Sequence, residues 1–277
     1  MEVRYLPNQE AYKSLETEEL RRSFVMETLF QPNAVSMVYF ETDRSIVGGV
    51  LPGDAPLKLL PTRQEMASDY FTERREVGIV NVGGNAVVRV DDHDHTLHGN
   101  DMLYVGRGKK KIEFRSQDNK TPAALYFVSY PAHVDYPDTL VQHSEAEKVT
   151  IGSAEGANKR TINKYIHTGG IKSCQLVMGL TQLESGSIWN TMPAHTHQRR
   201  SEVYLYYALG PDDLVVHLMG TPRETRNIIL RDRQAVISPS WSVHCGAGTR
   251  NYSFVWAMGG ENQEFSDMDG VPMPSLL

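Results

Sequence analysis

The 277 residues include 40% hydrophobic and 22% charged residues and carry a formal net charge of −6. A sequence pI of about 5.9 argues against general binding to nucleic acid or to anionic membranes, since both attract basic proteins. No apolar run approaches the ~18–20 residues of a membrane span, and only two cysteines occur, which fits a reducing compartment. We therefore expect a cytoplasmic protein that binds neither nucleic acid nor membranes.

Residues 8–30 form the first region with a structural preference. Apolar residues recur there at roughly helical spacing among charged residues, and the composition is rich in helix formers. These apolar residues are Leu15, Leu20, Phe24, Val25, Leu29 and Phe30. The spacing predicts a short helical segment near the N-terminus.

From Ala34 onward the sequence consists of short runs of β-branched and aromatic residues, separated by clusters of Gly, Asp, Asn and Pro. This spacing is typical of a β-sandwich or barrel. A stretch rich in Ser, Glu and Ala, residues 137–158, is predicted to be a loop that connects two halves. We expect an all-β protein with domains 1–150 and 151–277.

The two halves also resemble each other weakly. ERREVGIVNVGG (residues 73–84) aligns with QRRSEVYLYYALG (198–210), and GNDMLYVGRGKKK (99–111) aligns with RDRQAVISPSWSVH (231–244). Two matches in the same order indicate an internal repeat, here two β-barrels. In this alignment Glu76 corresponds to Glu202, and Lys111 corresponds to His244.

The second half contains the pattern HxH-x4-E followed by P-x4-H. His195 and His197 lie two residues apart, so on a strand both imidazoles would lie on one face. Glu202 begins a strand rich in aromatic residues, and His244 follows Pro239 by five residues. HxH alone is better explained by surface histidines in a loop. The complete set of three histidines and one carboxylate favours a divalent cation with positions left open for substrate or water.

The first half has no such set. No HxH precedes Glu76, and an ammonium group at Lys111 would repel a cation. A separate pattern, VDDHDHTLHGND, contains His93, His95 and His98. Its Asp, His, Gly and Asn residues favour a polar hairpin connection between flanking strands, and no glutamate follows at the required interval. We predict a first half without a metal.

Longer motifs resemble a known family. RTINKYI, WNTMPAHTHQRRSEVYLYY, AVISPSWSVHCG and GENQEFSDMD are similar to those of the 5-keto-4-deoxyuronate isomerase family of the cupin superfamily, over nearly the whole chain. Ala194 and Gln198 stand where the family commonly has cysteine and glutamate, and neither is a ligand position. The resemblance implies a bicupin fold of two jelly-roll barrels, a homohexamer and one zinc ion per chain. The zinc ligands that it implies are His195, His197, Glu202 and His244.

The resemblance also implies a reaction. The family converts 5-dehydro-4-deoxy-D-glucuronate, also called 4-deoxy-L-threo-5-hexosulose uronate, to 3-deoxy-D-glycero-2,5-hexodiulosonate in pectin and uronate degradation. This isomerisation moves a carbonyl by one carbon, and a divalent ion would stabilise the charge of an enediolate as a Lewis acid. The residues leave open whether the route is an enediolate or a hydride shift.

Further roles have several candidates. For proton transfer or hydrogen bonding to substrate they are Tyr204, Tyr206, Lys164 and Glu261, although aromatic filling of a barrel explains the two tyrosines equally well. For binding the substrate they are Arg199, Arg200 and Gln263. Pairing of the two arginines with nearby acids explains them equally well.

Two other functions use the same residues. One is a different metal-dependent cupin enzyme, such as an iron or manganese dioxygenase. The other is a non-catalytic, sugar-binding bicupin. A metal set in only one half favours selected chemistry over simple binding.

Overall fold

The computed structural model describes residues 1–277, and the chain is built mainly of strands. The all-β class is therefore confirmed. No helix is long and apolar enough to cross a membrane. The first twelve strands are β1 (Glu2–Arg4), β2 (Val25–Met26), β3 (Ala34–Phe40), β4 (Ile46–Leu51), β5 (Leu57–Lys58), β6 (Arg75–Asn81), β7 (Ala86–Val90), β8 (His93–Leu97), β9 (Met102–Val105), β10 (Ile112–Ser116), β11 (Leu125–Pro131) and β12 (Thr139–Val141). The others are β13 (Glu147–Ile151), β14 (Arg160–Ile166), β15 (Val177–Leu183), β16 (Trp189–Asn190), β17 (His195–Thr196), β18 (Arg200–Tyr207), β19 (Val215–Thr221), β20 (Glu224–Leu230), β21 (Gln234–Ser238), β22 (Cys245–Gly248), β23 (Ser253–Gly260) and β24 (Asp269–Gly270).

Helical structure is limited to short segments. The α-helices are α1 (Thr17–Phe24) and α2 (Arg63–Met66), and 3₁₀ turns occur at Ala11–Ser14, Thr42–Arg44 and Met273–Ser275. The predicted helical region 8–30 is thus wrong at both ends. Helix α1 stops at Phe24 because the next two residues form β2, which pairs with β21. Tertiary pairing overrides the local helical preference there.

The sheets repeat one strand order. A seven-stranded sheet, β1-β3-β4-β11-β6-β9-β12, and a four-stranded sheet, β5-β10-β7-β8, have counterparts in β13-β14-β15-β23-β18-β21-β2 and β16-β22-β19-β20. Position by position, β6 matches β18, β9 matches β21 and β10 matches β22. The sequence alignment of Glu76 with Glu202 matches the same two strands, β6 and β18. The repeated order supports an internal duplication, while closure into two barrels stays a prediction.

Contacts divide the chain into two compact units. The first unit comprises Met1–Arg4, Thr28–Glu147 and Tyr165–Met178, and the second comprises Tyr5–Glu27, Lys148–Lys164 and Gly179–Leu277. The division into domains 1–150 and 151–277 stays a prediction. The loop predicted over residues 137–158 needs correction, because it contains strands β12 and β13.

Each unit has its own apolar core, and a glycine permits close packing in each. A Cβ at Gly48 would lie 2.2 Å from the ring of Phe127, which belongs to the core of the first unit. In the second unit a Cβ at Gly179 would lie 2.3 Å from the ring of Trp256. The Trp256 indole N–H donates to the Thr181 hydroxyl at 3.1 Å, which fixes the ring in place. His217 is fully buried, as expected for a core residue.

Candidate metal centre

Four side chains of the second unit converge on one point. Nε2 of His195 lies 3.0 Å from Nε2 of His197 and 3.1 Å from Nε2 of His244. Oε2 of Glu202 lies 2.9 Å from Nε2 of both His197 and His244. The four candidate ligand atoms all lie within 4.8 Å of one another. The structure therefore brings together all four residues that the sequence predicts as ligands.

The segments that carry these residues are short. His195 lies on the two-residue strand β17, where it pairs with Gly270 of β24. His197 follows that strand instead of sharing it, and its backbone N–H donates to the carbonyl of Ser240 at 3.2 Å. Glu202 lies in β18, and His244 immediately precedes β22. Convergence thus depends on contacts between segments far apart in sequence, and only partly on strand alternation.

Backbone carbonyls orient two of the imidazoles. Nδ1 of His197 lies 3.0 Å from the carbonyl oxygen of Asp267, and Nδ1 of His244 lies 3.2 Å from that of Ser242. A carbonyl oxygen only accepts, so Nδ1 is the donor in each ring, and Nε2 faces the cluster. Arg200 Nη2 lies 3.1 Å from Nδ1 of His197, but it donates to the same Asp267 carbonyl at 2.8 Å. Both N–H donors therefore share one acceptor.

The donor set fits a divalent cation. Burial, and then the neighbouring imidazoles of His244 and His197, lower the pKa of His195 to about 2, so its ring is neutral. Oε2 of Glu202 is buried and has no hydrogen-bond donor. Lone pairs on nitrogen and oxygen that face one another repel unless a positive charge lies between them. Three imidazole nitrogens and one carboxylate are typical ligands of zinc and related metals.

A cavity of about 410 Å³ in the second unit adjoins the cluster. Its lining includes His195, His197 and Glu202, and most of its wall is apolar, with Trp256 and Phe254 among the contributing rings. The other polar side chains on its wall are Arg160, Lys164, Thr181, Thr191 and Tyr204. An apolar pocket with a few converging polar groups is the usual form of a small-molecule site.

Two of the four candidates for proton transfer line this cavity. The Tyr204 hydroxyl lies 2.9 Å from that of Thr191, and burial raises the pKa of Tyr204 well above its usual value. Tyr204 therefore keeps its proton and can act as a hydrogen-bond donor. Nζ of Lys164 lies 5.4 Å from the centre of the Phe265 ring.

The other two candidates lie elsewhere. Tyr206 is buried and does not line the cavity; its hydroxyl lies 2.9 Å from Nδ1 of His217. Glu261 is exposed and lies outside the cavity lining. Position thus favours Tyr204 and Lys164 over Tyr206 and Glu261.

The candidates for substrate binding do not line the cavity either. Arg199 pairs with the carboxylates of Asp267 and Asp269, in agreement with the alternative that it binds nearby acids. Arg200 is buried and donates to the backbone carbonyls of Glu264 and Asp267 at 2.7 and 2.8 Å. Gln263 is half-buried outside the lining. Both arginines instead hold the segment whose Asp267 carbonyl orients His197.

The second HxH pattern forms no comparable cluster. His93 and His95 lie on strand β8, and turns lie on either side of it, at Asp91 and Asp92 and at Gly99 and Asn100, so the predicted single connection is in fact two turns with a strand between them. No group of three or more potential ligands involves these histidines.

Arg160, the buried cation of the cavity, is absent from the residues that the motifs predict for the site. Arg160, Ile162 and Lys164 alternate along β14 and all line the cavity, so strand periodicity applied to Lys164 would have found it. The role of Asp267 leaves no sequence signal, because its backbone carbonyl makes the contact to His197.

The fold and the sequence both have known relatives. A 4-deoxy-L-threo-5-hexosulose-uronate ketol-isomerase of Caldicellulosiruptor bescii is 50% identical over 276 residues, and one of Kineococcus radiotolerans is 51% identical over 279 residues; each match covers both chains fully. The crystal structure of an IolB-like protein from Salmonella typhimurium superposes with a TM-score of 0.72 at 14% identity, covering 90% of this chain and 97% of that one. Oxalate decarboxylase of Bacillus subtilis gives a TM-score of 0.56 at 9% identity, covering 82% and 71%. These structural likenesses concern the cupin-like fold alone.

A sequence family accounts for most of the chain. The KduI/IolB family matches residues 26–270. Together with the full-length relatives, this match confirms the resemblance found in the motifs. The chain belongs to the KduI/IolB family.

Proposed function

We propose that the chain is an isomerase that converts 4-deoxy-L-threo-5-hexosulose uronate to 3-deoxy-D-glycero-2,5-hexodiulosonate in pectin and uronate breakdown. The observation that carries the proposal is a metal-ligand cluster beside a cavity whose wall also holds two cationic side chains. Relatives that share about half of their residues with the whole chain carry the name of this ketol-isomerase. The substrate is an anionic keto-sugar, which such a cavity suits.

The proposed cofactor is one zinc ion per chain, held by His195, His197, Glu202 and His244. When bound, the ion supplies Lewis-acid stabilisation of negative charge that develops on the substrate oxygens. Zinc has no redox chemistry of its own, which suits an isomerisation without net oxidation. We also propose that the protein is cytoplasmic and forms a homohexamer. Size-exclusion chromatography with light scattering would test the hexamer.

The residues of the chain have separate tasks in this proposal. The isomerisation removes a proton from the carbon that bears the hydroxyl and returns one to the former aldehyde carbon. Tyr204, which keeps its proton on Oη, donates a hydrogen bond to a substrate oxygen. Nζ of Lys164 is the candidate that carries the migrating proton, because it lines the same cavity. The apolar wall excludes water from the reacting carbons.

The reaction can be tested directly with zinc-loaded protein and the purified keto-uronate, in the absence of nicotinamide, flavin and oxygen. Nuclear magnetic resonance should show substrate loss and formation of the 2,5-diketo product. Failure of the zinc-loaded protein to turn over the keto-uronate would discard the isomerase function. Product formation that requires oxygen would instead support a dioxygenase.

The route can be tested in heavy water. If Lys164 or another exchanging group carries the proton, the product should contain deuterium on the former aldehyde carbon. Its absence would favour a hydride shift and remove the need for a proton carrier.

A further inference from the structure

We propose that Arg160 holds the carboxylate of the uronate substrate in the cavity next to the metal cluster. This inference rests on the proposed isomerase function, since it assigns one end of that substrate to a named side chain. It replaces Arg199 and Arg200 in the carboxylate-binding role that the sequence had suggested.

The backbone directs Arg160 toward the cavity. Arg160 begins β14, and alternate residues of that strand, Arg160, Ile162 and Lys164, line the cavity. The residues between them do not. Since side chains of a strand alternate between two faces, β14 presents two cations and one apolar residue to the space that His195 and Glu202 also line.

The guanidinium of Arg160 lacks the partner that its burial requires. Its relative exposure is 8%, and its one hydrogen bond within the chain runs from Nη1 to the carbonyl of Asn158 at 2.7 Å. No carboxylate forms an ion pair with it, and burial lowers the pKa of Arg160 below its usual value. A buried charge without a counter-ion is costly. The buried Arg200, in contrast, donates to the carbonyls of Glu264 and Asp267.

The remaining N–H groups of Arg160 match a carboxylate. A guanidinium offers two parallel N–H donors, which bind both oxygens of a carboxylate at once. The single acidic side chain on the cavity wall is Glu202, and it belongs to the metal cluster. The cavity wall thus lacks a negative charge next to Arg160. The carboxylate of the uronate supplies that charge, while the carbonyl end of the substrate faces the cluster.

The kinetic test compares Arg160→Gln, which removes the charge, with Arg160→Lys, which keeps the charge but loses the two parallel N–H donors. We expect Arg160→Gln to lower kcat/KM for the keto-uronate by roughly 10- to 100-fold, the value of a hydrogen bond to a charged group. Arg160→Lys should show a smaller loss than Arg160→Gln. It also provides the kinetic test if the glutamine variant misfolds. The matched control is Lys159→Gln, which removes a half-exposed cation that pairs with Glu184. Equal kinetics of Arg160→Gln and Lys159→Gln would overturn the proposal, as would a loss confined to Lys164→Gln.

A binding test separates this inference from the proposed function. Calorimetry compares the binding of D-galacturonate with the binding of D-galactose, which lacks the carboxylate. The parent protein should prefer the uronate, and Arg160→Gln should lose that preference with an unchanged melting temperature. If the parent protein does not isomerise the keto-uronate but this loss is seen, the isomerase function fails and the carboxylate site stands. An unchanged preference in Arg160→Gln overturns the carboxylate site even in an active isomerase.

Discussion

A buried glutamate lies near the start of the corresponding strand in both halves of the chain: Glu76 is the second residue of β6, and Glu202 is the third residue of β18. Glu76 accepts hydrogen bonds from the Tyr104 hydroxyl at 2.8 Å and from three consecutive backbone N–H groups at 2.6 to 2.8 Å, those of residues 174–176. Glu202 instead faces imidazole nitrogens, and its Oε2 has no hydrogen-bond donor. The equivalent carboxylate therefore has its hydrogen bonds supplied by the chain in the first half, whereas in the second half Oε2 has no donor and could bind a cation.

The residue that immediately precedes the corresponding strands β10 and β22 also differs between the two halves. His244 precedes β22 with its Nε2 at the cluster, whereas Lys111 precedes β10 as an exposed residue. The backbone N–H of Lys111 donates to the carboxylate of Asp91 at 2.9 Å. The repeated strand order thus supplies the position, while the neighbouring side chains decide whether a site can form.

Removal of a ligand from the second half should have the largest effect. We expect His244→Ala to lower kcat/KM for the keto-uronate by roughly a thousandfold or more, since several kcal/mol of charge stabilisation are lost. Metal affinity should fall at least ~10–100-fold, the effect of changes in groups that merely support ligands. Metal titration, turnover and thermal melting would measure this against His93→Ala with His95→Ala as the control. Near-full turnover with metal still bound would show that His244 is not a ligand.

A change in the first half should affect stability and spare the metal. Glu76→Gln places an amide NH₂ where an oxygen accepts backbone N–H groups, so the free energy of unfolding should fall by about 2–3 kcal/mol. Urea unfolding of metal-free protein measures this, and metal content should be unchanged. Glu202→Gln is the matched variant and should lose metal instead. A similar loss of metal in both variants would erase the distinction between the two glutamates.

Restoring one histidine to the first half should have the smallest effect. Lys111→His supplies an imidazole at the position of His244, but no HxH precedes Glu76, whose oxygens are already occupied by hydrogen bonds. We expect no additional metal in this variant by elemental analysis. A second equivalent of metal in this variant would mean that Lys111 alone prevents the first half from binding a metal.

The sequence predicted the ligands better than the elements that carry them. The residue types and spacing of His195, His197 and Glu202 predicted a group of residues that the structure does bring together, because coordination chemistry restricts both. Strand β13 was missed because it lies at a sheet edge and four of its five residues are exposed, so no apolar alternation marks it. The helix was overextended because pairing of Val25 with Val236 is a long-range contact. The alternation of Arg160 with Lys164 is visible in the sequence, but the burial of Arg160 without a carboxylate partner is visible only in the structure.

Elemental analysis of the purified protein tests most directly the claim that only the second half holds a metal. We predict about one zinc equivalent per chain, abolished by His195→Ala with His197→Ala and unaffected by His93→Ala with His95→Ala. Two equivalents in the parent protein, with one lost on substitution of His93 and His95, would contradict the account.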